Sequence, residues 1–316
     1  MNVPKLHHYL AEAYLKRFTD ENGDLWVLDR RTADIRRQRP EVTAAERELY
    51  TLDLPEAPDR RVETLLAETV DGPGLRVIGA IAGGGELEEA DRAPLAAFVA
   101  GLLLRTPSFR EQHRQFGEQM RGALRRWGVE PLEMDAGLDA RPSEPGGVRT
   151  DVLLSFIEEA RNTRRPYQNE FVSMMLGLLP LITQTILTMD WVIAKAPPKK
   201  TFVTSDSPVV IGRPQGQSPL LGVGLSTLGA EKVIPLTSGI ALLIRDMTDT
   251  PRVRYGMIDR DRIRRVNEVL VRQSERFSMA HSAPLLESIR RHTNLEPAPP
   301  LRVQVGGGPS SEGTPK

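Results

Sequence analysis

An α+β fold is predicted for this chain of 316 residues, with a helical N-terminal half packed on a small, mostly antiparallel sheet from the C-terminal half. Three observations predict it. Apolar residues recur at helical spacing through most of the first 189 positions. After Met189 the period changes to brief apolar runs bounded by turn residues. No repeat of fixed length relates the two regions, so the fold is a helical cluster joined to a sheet rather than a solenoid.

The elements follow in order. His8 to Phe18 reads as a short helix, with Leu10, Tyr14 and Phe18 on one stripe. Asn22-Gly23 is a turn, Asp24 to Asp29 a strand, and Asp34 to Gln38 its hairpin partner. Val62 to Ile81 has helical periodicity, interrupted by Gly72-Pro73-Gly74. Leu87 to Leu104 is a stronger helix, led by acids and carrying Leu95, Phe98, Val99 and Leu102 at core spacing. Thr106-Pro107 breaks it and caps a second helix that runs to about Trp127. Residues 129–150, rich in Pro, Gly and acids, read as a flexible insertion. Helices are expected at Asp151 to Asn162 and Tyr167 to Met189. Strands are expected at Trp191 to Ala194, Phe202 to Thr204, Lys232 to Leu236, Ile240 to Arg245 and Arg276 to Ala280, with a helix over Asp259 to Ser274. One domain over 1–295 and a disordered tail over 296–316 complete the reading, because the Pro-Pro, Gly-Gly-Gly and Ser-Ser runs bury nothing.

Composition removes several function classes. Lys plus Arg and Asp plus Glu number 42 each, so net charge draws the chain toward neither nucleic acid nor anionic membrane. The basic runs at Arg36 to Arg39, Arg121 to Arg126 and Arg260 to Arg265 read as solvated faces. Aromatic residues are 5% of the chain, too few for a base-stacking platform. Cysteine is absent, which excludes disulfides, thiolate metal sites and a cysteine nucleophile. Phe171 to Met189 carries no charge, but Pro180, Gln184 and three threonines make it a core helix rather than a membrane span. Met1 to Leu10 lacks the apolar run of a signal peptide, so the expected location is the cytoplasm. Gly222-Val223-Gly224 has its third glycine too late for a dinucleotide fingerprint, and Gly83-Gly84-Gly85 lacks the Lys-Ser/Thr of a phosphate loop. The sequence names no partner.

His7-His8-Tyr9 and Tyr14-Leu15-Lys16-Arg17-Phe18 open the chain, followed by Leu25-Trp26-Val27-Leu28-Asp29-Arg30 and Glu48-Leu49-Tyr50. Later come Arg105-Thr106-Pro107 with Arg110, Trp191, Phe202 to Val209, Ile234-Pro235-Leu236-Thr237 and Asn267 to Phe277. In this order and spacing, over about residues 5 to 282, they resemble the bacterial domain of unknown function 4238 family. Most specific are the His-Tyr opening and the Thr-Ser-Asp-x-Pro-Val step in combination. The family usually has proline where this chain has Ala11, and alanine lets the first helix begin earlier. The resemblance supplies positions and no reaction.

Chemistry is therefore read from the positions. His8 is the first candidate, as general base or metal ligand, with His7 behind it because the resemblance marks only the second histidine; Glu12 stands one helical turn away to orient it. Asp206, after Thr204 and Ser205 at a strand end, is the second, as metal ligand or orienting carboxylate. Arg105 is the third, an anion clamp, or a buried arginine paired with Glu48 or Asp206. Tyr9, Thr204, Ser205 and Arg110 are the expected substrate contacts, and Glu46 a surface residue. Two readings follow. In one, His8, Asp206 and Arg105 converge in a cleft and hydrolyse a phosphoester-type bond, with a divalent metal as the cofactor His8 and Asp206 would hold. In the other, the same residues form a structural polar network inside a non-catalytic module that binds a ligand or a protein.

Overall fold

The structure, a computed structural model, describes residues 6–53, 58–59, 61–115, 166–217 and 223–296. The insertion expected over 129–150, the helix over Asp151 to Asn162 and the tail beyond Glu296 lie outside them. The chain opens with strand β1 (Leu6–His8), helix α1 (Glu12–Leu15) and a 3-10 turn (Lys16–Phe18). A helix from His8 is thus corrected. Ala11 keeps an extended ψ of 134°, so even without proline the helix starts at Glu12 and leaves His8 on a strand. Leu10, Tyr14 and Phe18 are nonetheless all buried, as their stripe predicts.

Strands β2 (Leu25–Asp29) and β3 (Ile35–Gln38) form the expected hairpin, followed by β4 (Ala45–Arg47), β5 (Leu52–Asp53) and β6 (Pro58–Asp59). Helix α2 (Arg61–Leu66) runs through a π-helical segment (Ala67–Asp71) into α3 (Gly72–Ala82). Gly72-Pro73-Gly74 therefore widens the helix instead of ending it: Pro73 has no N–H to return to residue 69, and the turn before it opens. Helix α4 (Glu89–Leu104) begins in a capping box between Glu88 and Asp91. A Cβ on Gly74 would stand 2.4 Å from that of Phe98, so glycine is what lets α3 lie against α4. Thr106 caps helix α5 (107–115) by accepting the Phe109 N–H.

Helix α6 (Pro166–Leu187) buries Phe171, Val172, Met175, Leu176, Leu179 and Ile186 on one stripe and packs along α4. Its Asn169–Leu187 stretch is long and apolar enough to cross a membrane by length and composition, at a mean hydropathy of 1.5. After it come β7 (Met189–Lys195), β8 (Thr204–Ser205), β9 (Val210–Ile211), β10 (Lys232–Thr237), β11 (Ile240–Met247) and β12 (Val253–Met257). Helix α7 (Arg260–Gln273), β13 (Phe277–Ala280) and α8 (Ala283–His292) end the described chain. β1, β4, β5, β6, β9, β12 and α8 have no counterpart in the sequence reading.

The fold is α+β, with mostly antiparallel sheets. Two larger sheets form: a five-stranded one in the order β12-β7-β11-β10-β9 and a four-stranded one in the order β3-β2-β13-β8. The second takes strands from both ends of the chain, so sheet is not confined to the C-terminal half. The central strands β7, β10 and β11 of the five-stranded sheet are covered on both faces, while the edge strand β12 is largely exposed. Trp191, Ile193, Ile234, Leu242 and Ile244 enter the core shared with the N-terminal helices, while Ala194, Val233, Ala241 and Leu243 enter the core under α7 and α8. Double burial explains why β10 and β11 read as continuous apolar runs. Asn267 on α7 stitches the preceding loop to this core, accepting the Val203 N–H and donating to the Thr201 carbonyl.

Candidate polar site beneath the first strand

Strand β1 pairs antiparallel with β4, placing His7 opposite Glu46 and His8 opposite Ala45. Neighbouring residues on a strand face opposite ways, so the two histidines separate. His8 turns outward, and its Nε2 meets the Glu41 carbonyl at 3.0 Å. Glu12 takes no part, being paired with Lys16. His7 turns inward and is fully buried. Its Nδ1 accepts the Tyr50 N–H at 3.0 Å, which places the proton of the neutral ring on Nε2. That nitrogen faces Glu63 Oε2 at 3.4 Å, longer than a good hydrogen bond. Glu63 Oε1 accepts the His8 N–H at 3.2 Å, and the Tyr50 ring stacks on His7 at 5.9 Å between centroids.

Behind this pair lies Arg105, whose fork closes on Asp71 with N···O distances of 2.9 and 2.5 Å, while its Nε donates to Gly101. Burial works against its charge, and Asp71 more than restores it, so its pKa rises. Asp71 ends the π-helical segment. The partner expected among Glu48 and Asp206 is therefore replaced by Asp71. Arg110 reaches Glu46 at 2.7 Å, so Glu46 is an ion-pair partner rather than a plain surface residue.

Three signs of local cost coincide here. Ala44 and Glu48, on either side of β4, hold φ of 55° and 58°, a left-handed conformation that costs a residue with a side chain about 1–3 kcal/mol. The π segment is a second irregularity. The third is Tyr50, whose fully buried hydroxyl has no hydrogen-bond partner among the described residues. Burial first, then the Asp71, Glu63 and Glu46 carboxylates, push its phenol well above the ordinary range, against the pull of Arg105. Tyr9 is buried beside this cluster and is raised the same way, by burial and then by Asp206 and Glu46.

Asp206 is 1% exposed and sits in a backbone cradle. Its Oδ1 accepts the Glu275 N–H at 2.8 Å, and its Oδ2 those of Arg276 and Phe277 at 2.7 Å each. Burial pushes its pKa up to about 6 against those three donors. The carboxylate thus locks the turn between α7 and β13. Thr204 and Ser205 are equally sealed: Thr204 Oγ1 shares a 2.9 Å bond with the Tyr14 hydroxyl, and Ser205 Oγ accepts the Ser207 N–H.

Asp206 and Arg110 therefore each lie within electrostatic reach of Tyr9, and Arg105 within reach of Tyr50. The expected contact between His8, Asp206 and Arg105 does not form; each is satisfied by its own partner. A metal shared by His8 and Asp206 is disfavoured as well, because His8 Nε2 is engaged by the Glu41 carbonyl and both Asp206 oxygens accept backbone N–H groups. Among the described residues no three His, Asp or Glu side chains gather as a metal site requires. A cleft of about 460 Å³ at the end of α6, lined by Gln184, Leu187, Thr188, Met247, Thr248, Asp249 and Pro251, shares no residue with the cluster.

The family described as "Protein of unknown function (DUF4238)" matches residues 6–284. The chain belongs to the DUF4238 family. No curated protein and no solved structure matches it. In this DUF4238 chain, sequence reasoning ranked His7 behind His8, named Tyr50 only as part of a motif, and passed over Glu63 and Asp71. One signal was present: Glu63 and Asp71 are eight residues apart, two helical turns, and so fall on one face of a helix that buries its apolar stripe.

Proposed function

We propose that the protein is a ligand-binding module acting through the cluster of His7, Glu63, Tyr50 and the Arg105–Asp71 pair, and that its ligand is a small polar molecule, neutral or cationic. The Tyr50 hydroxyl carries this reading. A buried hydroxyl without a partner costs about 1–3 kcal/mol, and such a cost is commonly retained where a group serves function. Glu63, whose side chain is 28% exposed, is the carboxylate by which the cluster meets solvent, held by the His8 N–H. Charge selects the ligand class. Three carboxylates (Glu46, Glu63, Asp71) face two guanidiniums (Arg105, Arg110), which disfavours an anion. The phosphoester-hydrolase reading loses support on the same ground, since its anion clamp is spent on Asp71.

Tyr50→Phe tests the proposal, with melting temperatures measured against a panel of small amines, amides and polyols, and with inorganic phosphate alongside. The variant is expected to melt higher by about 2 °C or more, from loss of the unmet hydroxyl, and to lose the shift that a panel member gives the wild type. A lower melting temperature would show that the hydroxyl is bonded through water and serves the fold. A shift with phosphate, absent for the amines, would restore the phosphoester reading.

A further inference from the structure

Lys232 stands apart from the polar cluster and carries an independent inference. It occupies the first position of β10 in a cross-strand row of Ile211, Lys232, Ile244, Trp191 and Val253. Residues directly opposite one another share a face, so the lysine enters the face that holds Ile244 and Trp191, in the larger core. It is 1% exposed. Its ammonium has no hydrogen bond and no ion pair among the described residues, yet it is not one of the sealed polar atoms. The charged group that acts on it is Asp246, whose Oδ1 is held by the Gly229 N–H at 2.6 Å. A buried lysine is ordinarily bonded to a carboxylate; this one has a stem set between Ile211 and Ile244, Asp246 acting only from a distance, and no bonded partner at its tip among the described residues.

We propose that Lys232 is a reactive amine that forms an imine with short, uncharged aldehydes. The amine nitrogen attacks the carbonyl carbon, and the C=O electron pair moves to oxygen. One amine proton passes to that oxygen to give the carbinolamine; the nitrogen lone pair then expels the hydroxyl, which leaves as water with the second N–H proton, giving the C=N bond. Burial supplies the free amine, since it lowers the pKa of Lys232 while Asp246 opposes the shift only in part. The Ile211 and Ile244 neighbours favour an apolar carbon chain, the narrow exposure favours a short one, and Asp246 disfavours an anionic one. Lys16 provides the contrast within the same chain, exposed and raised in pKa by its bond to Glu12.

The test is timed reaction of the folded full-length protein with acetaldehyde and sodium cyanoborohydride, which reduces the imine to a stable ethyl-lysine, read by peptide mass spectrometry. At pH 7, Lys232 is expected to be labelled before the exposed Lys16, Lys199 and Lys200. Each unit of lowered pKa raises the free-amine fraction about tenfold. Its labelling rate should also level off at a lower pH than that of Lys16. Pyridoxal phosphate, a bulky anionic aldehyde, should mark the exposed lysines and spare Lys232. If acetaldehyde labels Lys16 and leaves Lys232 untouched until the protein unfolds, the amine is merely buried and the proposal fails. Equal rates and pH profiles for the two lysines overturn it as well, and labelling of Lys232 by pyridoxal phosphate overturns the size and charge selection.

Discussion

Arg105 and Lys232 both lie almost wholly inside the protein, at 2% and 1% exposure, and they are buried in opposite ways. Arg105 comes with a complete set of partners: both guanidinium nitrogens of its fork on Asp71 and its Nε on a carbonyl. Among the described residues Lys232 comes with no bonded partner, and Asp246 acts on it from a distance. The shifts follow the partners. Asp71 drives the arginine pKa up in spite of burial, whereas burial lowers that of the lysine. A planar fork that meets a carboxylate in two bonds holds its charge at depth; a point charge on a long apolar stem tends to give its charge up. Satisfaction by partners, rather than depth, thus separates a cation that holds the fold from one free to react.

The contrast breaks most visibly at the paired cation. Asp71→Ala leaves a charged guanidinium buried without its carboxylate, and the expected loss is about 3–5 kcal/mol in a urea unfolding curve. The double variant Asp71→Ala with Arg105→Met should recover a large part of that loss, because no charge is then stranded. If the single variant costs under about 1 kcal/mol, solvent already reaches the pair, and Arg105 returns to candidacy as an anion clamp.

Asp206 sharpens the comparison from the acidic side, since it is buried yet fully supplied with donors. Asp206→Asn replaces one acceptor oxygen by an NH2 group that faces backbone N–H groups, a change expected to cost about 2 kcal/mol. Its dependence on pH distinguishes burial from hydrogen bonding. With a pKa raised to about 6, the folded protein holds a proton that the unfolded chain releases near the ordinary aspartate value of 3.8. The stability this group contributes is complete below the lower value and is lost as pH rises through the upper one. The gap between wild type and Asp206→Asn should therefore be wider at pH 4 than at pH 7. A gap that widens with rising pH would mean that the three N–H donors outweigh burial.

What could be read in the sequence divides along the same line. The β2–β3 hairpin, α4, α6 and the β10 and β11 runs announce themselves through local periodicity and turn residues, and they form within a few residues of expectation. β1 and β4 could not be read, because each is three residues long and exists through a partner about forty positions away. The candidate site suffered the same limit. His8 and Asp206 carry the right chemistry by residue type, but whether a polar group is free depends on backbone donors and acceptors brought from elsewhere, such as Glu41 O for His8 and the N–H groups of 275–277 for Asp206. Nothing in residue type separates His7 from His8; the pairing register does, by turning one inward. Lys232 stands at the head of a run read correctly as a strand, and its lack of a partner is a fact about Ile211 and Ile244, which neighbour it only in the folded sheet.

Lys232→Met carries the smallest expected effect, in the direction opposite to Asp71→Ala. Methionine keeps much of the stem and removes an ammonium that no described residue bonds and that Asp246 offsets only in part, so stability should rise by about 1 kcal/mol at neutral pH. The gain should also fade with rising pH. Because the folded pKa of Lys232 lies below its unfolded value, the wild type regains stability as the unfolded chain comes to hold more protons than the folded one, up to the reference value of 10.5. Lys16→Met, at an exposed lysine, should give no such gain. A Lys232→Met protein less stable than wild type would show that the ammonium finds partners after all, and the two buried cations would then differ in geometry alone.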